Sequence, residues 1–175
     1  DLHLSIRRQR QMCIRDRIEA LATPIAGGSP RRTVSGLDYS RTAMMLAVLQ
    51  ARLKLPFGTL DAYVSTVGGA RAVEPAVDLA VALAAASAVT GQVIDPGLVA
   101  FGEVSLTGEI RSCTAVSRRV AEAARLGFTG AIVPAAAAGG LQAPRGFKIQ
   151  AAANLREAMS LALRRAPASP PDHEI

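Results

Sequence analysis

The order of apolar segments predicts an α/β sandwich in which helices pack on a mixed sheet. Half of the 175 residues are hydrophobic and 19% are charged, a balance typical of a chain that buries a core. Strand-like and helical segments alternate, and two short strands lie close enough in sequence for an antiparallel hairpin. Aromatic residues make up only 3%, so Ala, Val, Leu and Ile must build the core. The length fits one domain.

The first half of the chain predicts short strands and two apolar helices. Asp38 is a good N-cap, because its carboxylate can accept a hydrogen bond from an amide of the first helical turn. Pro75 and Gly91 are typical of a helix start and a helix end, and the nearly unbroken apolar run between them predicts a buried helix. The predicted elements are strands at 18–23 and 61–67, an extended piece after Arg31 and Arg32, and helices at 39–53 and 76–89.

The second half predicts a hairpin and two helices. Strands at 98–103 and 107–111 are close enough for the hairpin, and residues 115–126 place apolar side chains on one helical face and charged ones on the other. The remaining predicted elements are a strand at 131–133, a low-complexity loop at 135–140, a strand at 147–151, a helix from the cap Asn154 to about 165, and a disordered Pro-rich tail at 166–175.

The first 17 residues differ from the rest of the chain. They hold five of the 18 arginines and no Gly or Pro, and residues 11–17 resemble read-through of sequencing-adapter DNA. We interpret residues 1–17 as non-native or disordered, with a genuine basic arm as the alternative. Without this segment, which carries five Arg and two Asp, the formal charge falls from +6 to +3.

Several kinds of site are excluded by missing residues. His3 and His173 lie at opposite ends, so a Ser-His or Cys-His catalytic pair is not expected. Cys13 and Cys113 are far apart with no internal His, which leaves no zinc spacing. Neither lysine precedes Ser or Thr, so no Walker phosphate loop can be written. With no secretion signal and no membrane span, we expect a cytoplasmic protein with free thiols.

Five motifs resemble the C-terminal domain of the RadA/Sms DNA repair and recombination family. They are GLDYSR at 36–41, VGGAR at 67–71, EPAVDLAVA at 74–82, GEVSLTGEIR at 102–111 and EAARLGF at 122–128. The resemblance covers residues 18–165 and implies a fold of the Lon-protease-domain type and a homohexameric ring. It also implies work with the recombinase machinery through a parent protein. That parent would carry ATP, Mg and Zn sites in N-terminal domains missing from this chain, and no cofactor or metal is expected here.

The similarity of that domain to Lon implies where a catalytic pair would lie. Lon-type peptidases use Ser as nucleophile and a desolvated Lys as base. The resemblance places the nucleophile position at Ala76 and the base position near Ser117, beside Arg118. Arginine cannot replace the base, because its pKa stays above about 12. We therefore expect a pseudo-protease without catalytic residues, and an active Ser/Lys peptidase is the alternative.

Two non-enzymatic roles remain, and they are compatible. The domain can act as an assembly scaffold whose edges pair into a ring, and its basic side chains can contact DNA phosphates without reading sequence. A solvated helix face with an Arg118–Glu122 pair is the alternative for the basic residues, and Glu74 and Asp78 are expected to serve a helix dipole. The DNA-binding candidates are Arg31, Arg32, Arg118, Arg119, Arg125, Arg145 and Lys148; the candidates for subunit contacts or loop structure are Arg41, Arg71, Glu74, Asp78, Glu103 and Glu109.

Overall fold

A mixed sheet of seven strands organises the molecule. A computed structural model of the chain describes residues 3–6 and 16–165, with side chains from Ile18 onward. The strands are β1 (His3–Ile6), β2 (Asp16–Pro24), β3 (Arg32–Ser35), β4 (Leu60–Thr66), β5 (Val93–Ile94), β6 (Leu98–Ala100), β7 (Glu103–Val104), β8 (Ile110–Arg111), β9 (Gly130–Pro134), β10 (Lys148–Ala152) and β11 (Leu163–Arg164). Within these residues the large sheet has the order β10-β9-β6-β1-β2-β4-β3, and two small sheets pair β11 with β5 and β7 with β8.

The helices follow the predicted order. They are α1 (Tyr39–Leu53), α2 (Asp78–Thr90), α3 (Val116–Arg125), α4 (Ala135–Ala138) and α5 (Leu155–Ala162), with 3-10 turns at Phe57–Thr59 and Pro75–Val77. Asp38 caps α1 as predicted, since its Oδ1 accepts a hydrogen bond from the amide of Arg41 at 2.8 Å. Gly91 ends α2 in the left-handed conformation at φ 67°, which costs glycine little.

One strand of the large sheet runs opposite to the others. β2 is antiparallel to both of its neighbours, β1 and β4. Every other pair of neighbouring strands in this sheet is parallel. β9 is buried at every position, as expected of a central parallel strand covered on both faces. The prediction of an α/β fold with a mixed sheet is confirmed.

Helix α2 forms the centre of the larger core. Its residues 78–87 are all buried, and it packs against β2, α1 and α5. A helix that is apolar on all sides must be enclosed in this way. On the other face of the sheet, α3 packs Val116 and Val120 against Val99 and Phe101 to form a second core cluster.

The predicted strand at 98–103 is wrong in its extent, because the chain leaves the large sheet at Gly102. The Gly102 amide donates to the Ala76 carbonyl at 3.0 Å, and the Leu79 amide donates to the Gly102 carbonyl at 3.1 Å. A side chain at Gly102 would place its Cβ 2.6 Å from Cγ2 of Ile110. The predicted hairpin forms from the residues after Gly102, where β7 pairs with β8.

Two local predictions also differ from the structure. The alanines of the expected low-complexity loop form the short helix α4, which packs on β9 and β10. The last helix stops at Ala162 instead of near 165, because Leu163 is buried in a pairing with Ile94 that joins β11 to β5. Short strands of two residues carry too little periodicity to be recognised in the sequence.

The two ends of the chain were predicted to lie outside the fold. Residues 3–6 form β1, which pairs with β2 and meets β6 in the large sheet. That residues 1–17 are foreign to the protein stays a prediction. The expected disordered tail at 166–175 lies outside the described residues.

Candidate functional site

An ion pair between Arg41 of α1 and Asp78 of α2 lies at the centre of the candidate site. Nε of Arg41 donates to Oδ1 of Asp78 at 3.0 Å, and Nη2 donates to Oδ2 at 2.5 Å. The Asp78 side chain is only 4% exposed, whereas that of Arg41 is 28% exposed. Two parallel charge-assisted bonds fix the orientation of both groups, so the pair locks the start of α2 against α1.

The same carboxylate also holds the β7–β8 hairpin. Oδ2 of Asp78 accepts a hydrogen bond from the Val104 amide at 3.1 Å. Oε1 of Glu103 lies 3.6 Å from Nη2 of Arg41. Three motifs that are distant in sequence, at 36–41, 74–82 and 102–111, are therefore joined at one point, beyond the carboxyl end of β6.

Burial dominates the electrostatics of this cluster. Burial raises the pKa of Asp78, while the hydrogen bonds from Arg41 and from the Val104 amide oppose the rise. The pKa of Arg41 is raised by its hydrogen bond to Asp78. Since a carboxylate in an apolar helix is costly to desolvate, the two donors reduce the cost of burying this one.

A second ion pair joins Arg119 of α3 to Glu74, just before the 3-10 turn that leads into α2. Nη1 and Nη2 of Arg119 donate to the two carboxylate oxygens of Glu74 at 2.9 and 2.8 Å. Nε of Arg119 donates to the Thr114 carbonyl at 3.0 Å, and the guanidinium carbon lies 6.0 Å from the centre of the Phe101 ring. The Arg119 side chain is 9% exposed, so this group is committed to the fold.

The two positions implied for a catalytic pair lie in the segments that this second ion pair connects. Ala76 is buried in the 3-10 turn and offers only a methyl group, which cannot act as a nucleophile. Ser117 is exposed on the first turn of α3. The structure therefore brings the two chain segments together through Glu74 and Arg119, and their catalytic roles stay a matter of the resemblance.

Cys113 lies beside the same ion pair as a half-buried free thiol. Burial raises its pKa, the charge of Arg119 lowers it and the charge of Glu74 raises it again. A raised pKa keeps the sulfur protonated and poorly nucleophilic near neutral pH.

Three of the predicted DNA-binding residues have other partners in the structure. The Arg32 guanidinium donates to the carbonyls of Leu60 at 2.7 Å and Phe57 at 2.5 Å, and Arg119 binds Glu74. Arg125 donates to Glu122 at 2.9 and 2.6 Å, where the sequence suggested Arg118 as the partner of Glu122. The other four candidates are exposed: Arg31, Arg118, Arg145 and Lys148.

The six predicted contact or loop residues separate into two groups. Arg41, Asp78 and Glu103 meet in one cluster, and Glu74 is engaged by Arg119. Arg71 lines an open cavity of about 350 Å³ next to Gly36 and Gly69. The exposed Glu109 forms an isolated antiparallel β-bridge with Asn154 through the backbone. Arg71 and Glu109 lie outside both ion pairs.

Sequence reasoning missed the partners of Glu74 and Asp78. Both were expected to serve a helix dipole, but each accepts a bidentate arginine from a distant segment. The available signal was Asp78 itself, since an aspartate within an apolar helix is almost never fully buried unless it is paired. The amide of Val104 and the ring of Phe101 carry no sequence signal for these roles.

Residues 3–6 and 16–165 contain no group of three or more His, Cys, Asp or Glu side chains placed to hold a metal ion. No helix in that part of the chain is long and apolar enough to span a membrane.

Loss of Arg41 should destabilise the fold strongly. We expect Arg41→Met to lower the free energy of unfolding by about 3 kcal/mol at pH 7, because it leaves a buried carboxylate without its counter-ion. Arg125→Met is the matched control and should cost less than about 0.5 kcal/mol, since the Arg125–Glu122 pair is exposed. Urea unfolding followed by circular dichroism measures both. Equal losses would contradict the central role of the Arg41–Asp78 pair.

The pH dependence of the same variant follows from the carboxyl pKa. Without Arg41 the folded-state pKa of Asp78 rises further above its unfolded value. Such a group destabilises the fold above its folded pKa, and protonation relieves the cost as the pH falls through that pKa. The difference in unfolding free energy between Arg41→Met and the original chain should therefore shrink as the pH is lowered from 7.

Alkylation should report the environment of Cys113. In a Cys13→Ser background, we expect the folded chain to react with iodoacetamide at pH 7.5 more slowly than the same chain unfolded in urea, because burial raises the thiol pKa. Mass spectrometry of timed samples measures the rates, with free cysteine at the same urea concentration as the control. Equal rates for folded and unfolded chain would show that the thiol is not protected.

A family model described as "ChlI: Subunit ChlI of Mg-chelatase" matches residues 68–137. This range includes the Glu74–Arg119 pair, together with Asp78 and the hairpin that Asp78 holds. It does not include Arg41.

Curated relatives named DNA repair protein RadA match a longer part of the chain. The Mycolicibacterium smegmatis protein is 50% identical over 142 residues, covering 81% of this chain and 30% of the relative. The Bacillus subtilis protein is 40% identical over 146 residues, covering 83% and 32%, and the Mycobacterium tuberculosis protein is 52% identical over 114 residues, covering 65% and 24%. The chain thus spans about a third or less of each relative, and over most of its own length it is homologous to part of proteins named DNA repair protein RadA.

Proposed function

We propose that this chain is a Lon-protease-like segment of a RadA-type DNA repair protein, in which it acts as a hexamer scaffold and a DNA-binding platform. The similarity to RadA proteins over 81% of the chain carries this proposal. The ATPase motor that the resemblance implies would belong to another part of the parent protein.

The pseudo-protease part of the proposal rests on the residues at the implied catalytic positions. Ala76 has no nucleophilic atom, and the segment around Ser117 has Arg118 and Arg119 where a neutral lysine would be needed. The Glu74–Arg119 pair spans the two segments at 2.8 Å. A tightly bound ion pair between these segments supports a structural role for them and disfavours the Ser/Lys peptidase.

The scaffold part of the proposal rests on the edges of the large sheet. Within the described residues, β3 pairs only with β4 and β10 pairs only with β9, so each has one open side. An open strand edge presents unpaired amides and carbonyls that a second chain can satisfy. The two edges lie at opposite ends of the sheet, which suits the head-to-tail contacts of a closed ring.

The DNA-binding part of the proposal rests on exposed cations. Arg31, Arg118, Arg145 and Lys148 remain exposed after the internally bound arginines are set aside. Contacts of such groups with phosphates give affinity without sequence specificity. Non-specific duplex binding that weakens with salt is the expected behaviour.

Two arginines of α3 provide a matched test of DNA binding. Arg118 is exposed, whereas Arg125 is paired with Glu122. We expect Arg118→Gln to weaken binding of a labelled duplex and to reduce the slope of log K against log salt by about 1. Arg125→Gln removes the same charge and should have the smaller effect. Fluorescence anisotropy at several salt concentrations measures both, and equal effects or a salt-independent affinity would count against the platform.

Light scattering tests the scaffold. At micromolar concentration the full chain should have the mass of six copies, because the open edges of β3 and β10 would be paired between neighbours. A monomer at every concentration tested would contradict this part of the proposal.

A casein assay tests the peptidase alternative. We expect that neither the original chain nor Ser117→Ala cleaves casein, and cleavage that Ser117→Ala abolishes would support the peptidase alternative.

A further inference from the structure

We propose that a cavity at the amino ends of β6, β9 and β10 binds a phosphate group through Lys148 and Arg164. The cavity measures about 150 Å³, enough for a phosphate group and a few waters, since one water takes up about 30 Å³. The Arg41–Asp78 pair lies beyond the opposite, carboxyl end of β6. The two sites therefore lie at opposite ends of the strands of the large sheet.

Backbone pairing places the two cations at this cavity. Lys148 is the first residue of β10 and lies opposite Gly130 of β9, and its amide donates to the Thr129 carbonyl at 2.9 Å. Arg164 lies in β11, opposite Val93 of β5. Both residues lie in strands, so backbone pairing fixes the positions from which the two side chains reach the cavity.

A glycine keeps the strands at the cavity close together. A Cβ on Gly130 would lie 2.9 Å from the Lys148 carbonyl oxygen and 3.8 Å from Cδ1 of Leu98. Since real Cβ atoms do not approach backbone oxygens that closely, any side chain at Gly130 would push β10 away. The glycine thus helps to hold Lys148 beside the other residues of the cavity.

The charges at the cavity leave an excess of positive charge. Among the residues that the structure describes, neither Lys148 nor Arg164 has an acidic partner within ion-pair distance. The one carboxylate in the lining, Asp95, is already engaged, because its Oδ1 accepts the Gly97 amide at 2.7 Å. With two cations and one hydrogen-bonded carboxylate in its lining, the cavity favours the binding of an anion.

The remaining lining suits an oxyanion with several oxygens. Thr129 and Gln150 add neutral polar side chains, and Leu98 and Leu161 form an apolar wall. An apolar wall excludes part of the water and so strengthens the attraction between the cations and an anion. Arginine can bind two phosphate oxygens at once, and lysine binds as a point charge.

The phosphate group could come from inorganic phosphate or from a DNA backbone. The DNA source rests on the function proposed above, whereas the cavity itself does not. Separate measurements with the two ligands distinguish a failure of the cavity from a failure of the proposed function.

The first measurement uses inorganic phosphate. In spectra of the ¹⁵N-labelled full chain, phosphate should shift the amide signals of Thr129 and Gly130 in a saturable way that chloride at equal ionic strength does not reproduce. Lys148→Gln/Arg164→Gln should weaken this binding by roughly tenfold through loss of two charge-assisted contacts. Arg111→Gln/Arg156→Gln removes the same charge at exposed residues outside the cavity and should leave it unchanged. Circular dichroism checks that both variants fold.

The second measurement uses duplex DNA with the same two variants. If the DNA backbone occupies the cavity, the cavity variant should lower the slope of log K against log salt by about 2, and the control should change it less. Phosphate shifts without this change support the cavity with free phosphate as its ligand. Absence of saturable shifts at Thr129 and Gly130, together with equal effects of the two variants on duplex binding, overturns the proposal. A chain that binds no duplex but shows the shifts refutes the DNA platform alone.

Discussion

The buried carboxylate of Asp78 is the constraint on which the arrangement of this fold depends. It lies at the start of a helix that is otherwise apolar on every side, where an unpaired charge would be very costly. The Arg41 guanidinium and the Val104 amide compensate for that cost only when α1 and the β7–β8 hairpin are both in place. The Glu74–Arg119 pair adds α3 to the same junction.

These ion pairs also decide which charged residues remain for function. Several arginines and acids in the motifs that resemble the RadA/Sms family are bound by contacts inside the chain. Their presence in a motif therefore does not make them a surface for a ligand. The exposed cations proposed to contact a ligand instead lie just before β3, on α3, in the loop before β10, and on β10 and β11. The exposed cations proposed to bind a ligand are thus different residues from those in the Arg41–Asp78 and Glu74–Arg119 pairs.

Much of the secondary structure followed from local patterns. The sequence alone indicated the cap at Asp38, the apolar run of α2 and the amphipathic pattern of α3. Each of these is a property of residues that lie close together in the chain. The failures have a different origin. β6 ends early because Gly102 forms hydrogen bonds with Ala76 and Leu79, and α5 stops because Leu163 pairs with Ile94. Neither partner could be identified from a local window.

The sequence by itself determined the α/β class, the order of the elements and the absence of a nucleophile at Ala76, because periodicity, capping and side-chain chemistry are local properties. Tertiary structure alone decided which charges meet. Arg41 finds Asp78 at a separation of 37 residues and Arg119 finds Glu74 at 45, and the cavity beside Lys148 exists only where three strands and a small second sheet converge. A cation looks the same in sequence whether it is buried against an acid or exposed, since its partner is set by the packing of distant segments.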